Sequence, residues 1–340
     1  MPISQTSSIR NRNSTKHRIL ILMALVVLLL AAACLSLRCG SQNYTLTDML
    51  VASPESTPWR IFRYSRVPRT LAALLAGFAL ALSGALIQAV LNNAMASPNV
   101  IGVNAGAGFF AMLMAVLFPG VAGITPMASF LGAFATALFI YLLAVRAGMS
   151  RTTLILAGIA VSSILTAGIN TITLLFPDTV VGATGFMLGG FSGMTLSSIQ
   201  GAGGYLFAGT ALAFSLAVDL NVLQLGEECA AGLGLHVGRV RFFAILAAAL
   251  LAGAAVSFAG LLSFVGLLVP HMARRLVGGD NRWLLPAAAL LGGSFVLGCD
   301  MLARILFAPF EFPVGIVMSL LGGPFFLHLL MRRKRSRVYD

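Results

Sequence analysis

The sequence predicts an all-α polytopic membrane protein of about ten transmembrane helices. Three observations point there: 59% of the 340 residues are apolar, only 9% are charged, and the apolar residues are gathered in runs of span length. A soluble domain averages about 45–50% apolar and about 25% charged residues, so this chain has too little charge to solvate a surface. A soluble enzyme, a disordered chain and a fibrous repeat are excluded. One span needs about 20 apolar residues, and with short loops the length allows at most about 10–12 spans. The net charge of +12 reads as basic flanks of membrane helices on the cytoplasmic side, not as a nucleic-acid surface.

The elements follow in order. Residues 1–18 form a basic cytoplasmic tail with Arg10, Arg12, Lys16 and Arg18. The run Ile19–Leu37 comes next, and Ala31-Ala32-Ala33-Cys34 within it loosely resembles a lipoprotein cleavage site. The run exceeds the roughly 7–15 residues of a signal-peptide core and is read as a retained first span. Thr70–Leu91, Val100–Phe118, Pro126–Val145 and Thr152–Phe176 are further spans. Pro177–Gln200 is too rich in Gly, Ser and Thr for a plain lipid-facing helix. Gly201–Leu220 is a span, and the polar insert Asn221–Arg241 (residues 221–241) follows. The run Phe242–Met272 would make about 46 Å of helix, too long for one crossing and short for two. It is read as a hairpin turning near Gly260, with at least one broken crossing. Trp283–Met301 and Pro313–Met331 complete ten spans in a single transmembrane domain, residues 19–331. A second basic cytoplasmic tail covers 332–340.

With both termini inside, sixteen of the 22 Lys and Arg fall on the cytoplasmic side, as the positive-inside rule requires. The six others are Arg38, Arg60, Arg63, Arg66, Arg69 and Arg304. Gly77, Gly84, Gly102, Gly106 and Gly108 suit close helix approach.

Much chemistry is missing. The chain has no GxxxxGK[ST] and only two lysines, Lys16 and Lys334, so it carries no phosphate-binding loop. His17, His236, His271 and His328 are scattered, and Cys34, Cys39, Cys229 and Cys299 show no metal-like spacing and are read as small apolar fillers. No metal site, cofactor or catalytic residue is expected. Carboxylates are nearly absent from the spans; Asp219 and Asp300 lie at span ends, whereas an ion-coupled carrier buries ionisable groups along its path. What remains is a helical pathway driven from elsewhere.

Two constellations carry that idea. The insert Gln224–Leu235 is the longest polar stretch between cytoplasmic spans. Ala230, Leu233 and its glycines would give a short helix with a small, flat face that suits docking into a groove on another protein; an ordinary connecting loop is the alternative. On the outside, Arg66 and Arg69 are three residues apart and share a face, with Pro68 suited to a first helical turn. Asp300 precedes Arg304 by four residues and can fix its rotamer. Guanidinium forks recognise carboxylates, which points to an acidic external partner; lipid headgroups or internal salt bridges fit the spacing equally.

The stretch Arg66-Val67-Pro68-Arg69 through Gly77 to Gln88 resembles the permease family of iron–siderophore and vitamin B12 ABC importers. Further blocks match in order: Pro98-Asn99-Val100-Ile101-Gly102 through Ala107, the Gly226…Leu233-Gly234 loop, Phe264-Val265-Gly266 through Arg274, and Asp300…Arg304 with Glu311-Phe312-Pro313-Val314-Gly315. The resemblance covers nearly everything after residue 60. One departure stands out: where the family usually shows Asn-Pro-Leu-Ala, this chain reads Asn93-Ala94-Met95-Ala96.

The resemblance implies a type II ABC importer permease fold with ten spans and a translocation path between two permease subunits, a homodimer being favoured. It implies a pair of separate ATPase subunits, carrying ATP and Mg, docked on the loop with Gly226, Glu227, Ala230, Leu233 and Gly234. It also implies an extracytoplasmic binding protein whose acidic residues meet Arg66, Arg69 and Arg304. The expected cargo is a ferric siderophore, with haem or cobalamin as alternatives; the site is the cytoplasmic membrane of a prokaryote. A secondary carrier running on an ion gradient is the reading from a different class.

Overall fold

In the computed structural model, the described residues are 15–40, 53, 55–121, 123–148, 150–306 and 310–336. Arg10, Arg12 and Arg337 of the two basic tails lie outside them. Among the described residues all regular structure is helical. The helices are α1 (Thr15–Arg38), α2 (Thr57–Val90), α3 (Val103–Leu117), α4 (Ile124–Arg146), α5 (Arg151–Leu175), α6 (Pro177–Leu188) and α7 (Leu196–Ser215). After them come α8 (Ala217–Leu223), α9 (Glu227–Gly232), α10 (Val237–Ala259), α11 (Val265–Val277), α12 (Asn281–Leu306) and α13 (Val314–Ser336).

Among the described residues, six helices are long and apolar enough to cross a membrane, seven if α7 and α8, bent by 53°, form one span. The expected ten is not reached by that measure. Helices α3, with 15 residues, and α11, with 13, are short, and so is the apolar part of α13, Val314–Leu327. Fifteen residues rise about 22 Å, less than a hydrocarbon core of about 30 Å. Short helices stand at membrane depth only where neighbouring protein satisfies their loose backbone groups.

That condition is met at the break inside the longest apolar run. Helix α10 ends at Gly260 (φ 71°, ψ −165°), where the sequence placed the turn. A side chain there would strike the Phe186 carbonyl. The Leu261 amide donates to Phe186 O at 3.0 Å, the Gly190 amide to Ala259 O at 2.9 Å, and the Gly315 amide to Gly189 O at 3.2 Å. Three broken segments thus satisfy one another.

Helix α2 is the central strut; 78% of its apolar window is buried, against 11% for α5. Lipid is as apolar as leucine, so spans associate through close packing. Gly77 on α2 and Gly292 on α12 lie so near that a Cβ on either would collide with the other's carbonyl oxygen. Gly84 meets the Gly266 backbone of α11, and Gly106 meets Gly132 and Thr136 of α4 in the same way. Gly108 is looser: a Cβ added there would stand 3.2 Å from Ile169 Cδ1.

Helix α2 starts earlier than the sequence suggested. Pro68 lacks an amide and cannot extend a regular ladder. A π-helical turn at Phe62–Arg66 shifts the register ahead of it, so the helix begins at Thr57. The turn after α2 forms without the family's proline. Asn92 takes φ 45°, and the Asn93 side chain accepts a hydrogen bond from the Met95 amide at 3.0 Å, the Asx geometry that replaces a proline turn. Of the cysteines only Cys299 is buried; Cys34 and Cys229 are exposed and fill no core.

Candidate functional site

Polar chemistry collects in three places: one end of α2, its opposite end, and the exposed face of α5. The straight part of α2, Val67–Val90, separates the two ends by about 36 Å.

The first end holds Arg66, Arg69 and Arg304. Helix α1 finishes here, leaving carbonyls without intrahelical partners. Arg66 Nη1 donates to Leu37 O at 2.9 Å and to Arg38 O at 2.6 Å. Arg304 Nη1 donates to Ser36 O and Cys39 O at 3.2 and 2.8 Å, and its Nη2 to Ser36 Oγ at 2.8 Å. Cations at a helix C-terminus also suit its dipole. Asp300, fully buried, ties the group together. Its carboxylate meets Arg304 at 3.1 Å, the i,i+4 pair expected from spacing, and Arg69 at 3.0 Å. Arg69 reaches on to Glu311 at 3.0 Å, whose side chain is 46% exposed.

The three arginines expected to meet an outside partner are thus already engaged within the chain. Their exposures are 4%, 8% and 7% for Arg66, Arg69 and Arg304. The internal salt bridges that the spacing left open are present. The guanidinium groups turned to solvent at this end belong to Arg38, Arg60 and Arg63. Glu311 is a partner of Arg69 that local spacing does not reveal, since it lies 242 residues further along the chain. A cavity of about 380 Å³ opens beside it, with Arg69 and Glu311 in its lining.

The opposite end holds the insert. Helix α9 is the short helix expected there, entered at Gly226 (φ 110°) and left through Gly234 (φ 83°). Glu227 pairs with Arg241 at the start of α10 and lies 3.9 Å from Arg151 Nε at the start of α5. One carboxylate therefore touches the first turns of two spans. Ala230 does not lie on the presented face: it is fully buried, while Leu225 and Leu233 are 64% and 69% exposed. A six-residue helix must turn one side inward to anchor, and its smallest residue takes that side.

The third place was unreadable in sequence. An open groove of about 610 Å³ runs along α5 and is lined by Asn99, Ser162, Ser163, Thr166 and Asn170 among apolar neighbours. Positions 163, 166 and 170 recur at helical spacing on one face, and all three are exposed. Ser162 Oγ is buried and makes no hydrogen bond. Ser163 Oγ donates to Ile159 O at 2.9 Å and is satisfied within its helix, but polar groups such as Thr166 and Asn170 are costly against hydrocarbon, so this face belongs against protein or water. Among the described residues no three His, Cys, Asp or Glu side chains converge as metal ligands.

Comparison with known proteins fits this architecture. Residues 25–332 match the FecCD transport family. The iron(3+)-hydroxamate import system permease protein FhuB of Bacillus subtilis is 36% identical over 335 residues, covering 95% of this chain and 85% of that protein. The hemin transport system permease protein HmuU of Yersinia pestis is 35% identical over 324 residues, covering 94% and 97%. A solved metal-chelate type ABC transporter in an inward-facing conformation superposes with a TM-score of 0.82 at 29% identity, covering 92% of this chain and 99% of that one. With its all-helical architecture and its match across most of its length, this chain belongs to the FecCD transport family of multi-pass membrane permeases.

Proposed function

We propose that the chain is the membrane-spanning subunit of an ATP-driven importer that carries a ferric siderophore across the cytoplasmic membrane of a prokaryote, with haem and cobalamin as the competing cargoes. The observation that carries this reading is the polar stripe of α5. A span that shows Ser163, Thr166 and Asn170 on its outer face makes sense when a second permease subunit closes over it and leaves a hydrated path between the two. We take that subunit to be an identical chain. Relatives named for iron-hydroxamate and hemin support a metal chelate as cargo.

In this reading both termini are cytoplasmic. A separate ATPase subunit, which binds the ATP and Mg, docks on the α9 end through Leu225, Leu233 and Glu228. Glu227 conveys its movement to the first turn of α5 through Arg151, and to α10 through Arg241. A loaded binding protein docks on the opposite end. There the exposed Arg38, Arg60 and Arg63 steer it, and Arg66, Arg69 and Arg304 hold the rim in shape behind them. The path then alternates its exposure by switching between discrete helix packings.

Reconstitution tests the reading. The full chain, placed in proteoliposomes with its ATPase and binding protein, is expected to accumulate ferric hydroxamate labelled with radioactive iron, with haemin and cobalamin run in parallel. Uptake should require ATP and survive an ionophore. Uptake that collapses with the ionophore and persists without ATP would put a secondary carrier in its place.

A further inference from the structure

We infer that Glu311 is an internal stand-in for a partner's carboxylate on Arg69, and that an acidic side chain of a docking protein displaces it from the cavity at this end. The inference rests on the reading that this end receives an acidic protein partner.

The two carboxylates on Arg69 are unlike. Asp300 is fully buried, belongs to α12, and binds Arg69 through Nε and Nη2 while also holding Arg304. It cannot leave without stranding the buried Arg304 and taking two of three contacts from Arg69. Glu311 binds only the remaining Nη1, from the connection ahead of α13, with nearly half of its side chain exposed. Ser192, itself exposed, supplies its other hydrogen bond. Arg69 is otherwise buried, so the cavity of about 380 Å³ is its route to the outside; Arg69, Glu311, Ser192, Ser198 and Ser257 supply polar lining. An entering carboxylate finds one fork nitrogen and nearby hydroxyls, the set Glu311 now uses.

Donor geometry favours an exchange over simple addition, because Asp300 already occupies Nε and Nη2 of Arg69 and only Nη1 is left. If Glu311 swings into solvent and a partner's carboxylate takes its place, the balance within the cavity is unchanged. Addition without displacement would crowd two carboxylates on one nitrogen. Displacement also frees the connection that leads into α13, where the Gly315 amide rests on Gly189 O at 3.2 Å.

The test uses the full chain in nanodiscs of zwitterionic lipid. Its probe is a fluorescent acetyl-triglutamate amide, with the triglutamine peptide as control, read by anisotropy at fixed ionic strength. Removing a half-exposed competitor should tighten binding modestly. Glu311→Gln is expected to bind the acidic peptide about three- to tenfold tighter than wild type, and the added substitution Arg69→Gln should remove that gain. Ser192→Ala, which leaves every charge in place, should gain about twofold and decides the matter if the Glu311 variant does not fold. Equal binding by wild type and both variants overturns the displacement. If all of them still prefer the acidic peptide, the acidic-partner reading stands without it; if none does, that reading falls too.

Discussion

The two ends of α2 use the same chemistry for opposite purposes. At one end Asp300, Arg69 and Arg304 are buried and interlocked, and the arginines also cap the end of α1. At the other, Glu227 and Arg151 have side chains 43% and 37% exposed and stand 3.9 Å apart. A buried charge cluster holds its geometry because losing one member strands the others. A half-exposed pair contributes little to stability and is free to move. The contrast teaches that the first end is a fixed rim and the second a movable joint, linked by an α2 strut that cannot bend where Gly77 and Gly292 pack backbone to backbone.

The largest effect should come from breaking the rim. Asp300→Asn leaves Arg304 buried without a counter-charge and Arg69 with only the half-exposed Glu311, and should cost about 3–5 kcal/mol, read as loss of folded protein in detergent and a lower melting temperature. Arg60→Glu with Arg63→Glu, on the exposed surface of the same end, should fold normally and reduce binding-protein association several-fold, chiefly in on-rate. Unchanged association would remove the steering role. On α5, Asn170→Leu should leave melting unchanged and depress uptake, since the residue packs against nothing in the chain's core. Normal uptake would place the path elsewhere.

Smaller effects sharpen the comparison at the joint. Glu227→Gln also takes the carboxylate from the buried Arg241 and should cost less stability than Asp300→Asn, yet lower the cargo moved per ATP hydrolysed, measured by uptake and phosphate release together. The smallest effect is one of pH. Burial pushes the Glu311 carboxyl up, but the Ser192 hydrogen bond and the Arg69 charge outweigh it and hold it below the ordinary 4.5. A depressed folded value means a contribution that is present above 4.5 and lost as pH falls through the folded value. The melting difference between wild type and Glu311→Gln should therefore stay constant from neutrality to about that pH and shrink only below it.

Local features were legible in the sequence. The pairing of Asp300 with Arg304 is an i,i+4 relation, the end of α10 is set by Gly260, and α9 follows from its glycine borders. Each depends on residues within one turn. Features set by distant partners were not legible. Arg69 and Asp300 are 231 positions apart, and nothing local says that Arg69 turns inward when Arg63, six residues earlier, turns out. The facing of Ala230 depends on what lies beneath α9. The polar stripe of α5 is hidden because a serine or threonine in an apolar run reads the same whether it faces a neighbour, caps its own helix or lines a groove. The span count suffered for a related reason: α3, α11 and α13 are held by their neighbours, and length alone does not reveal that support.

The most direct test of a fixed rim and a movable joint is amide hydrogen exchange on the full chain in nanodiscs, with and without the ATPase subunit. The account predicts that amides of residues 66–70 and 300–304 exchange slowest in the molecule and are unchanged by the ATPase. Those of 227–235 should exchange quickly in the free chain and slow markedly in the complex. Fast exchange at 300–304, or a 227–235 segment equally protected in both states, would contradict it.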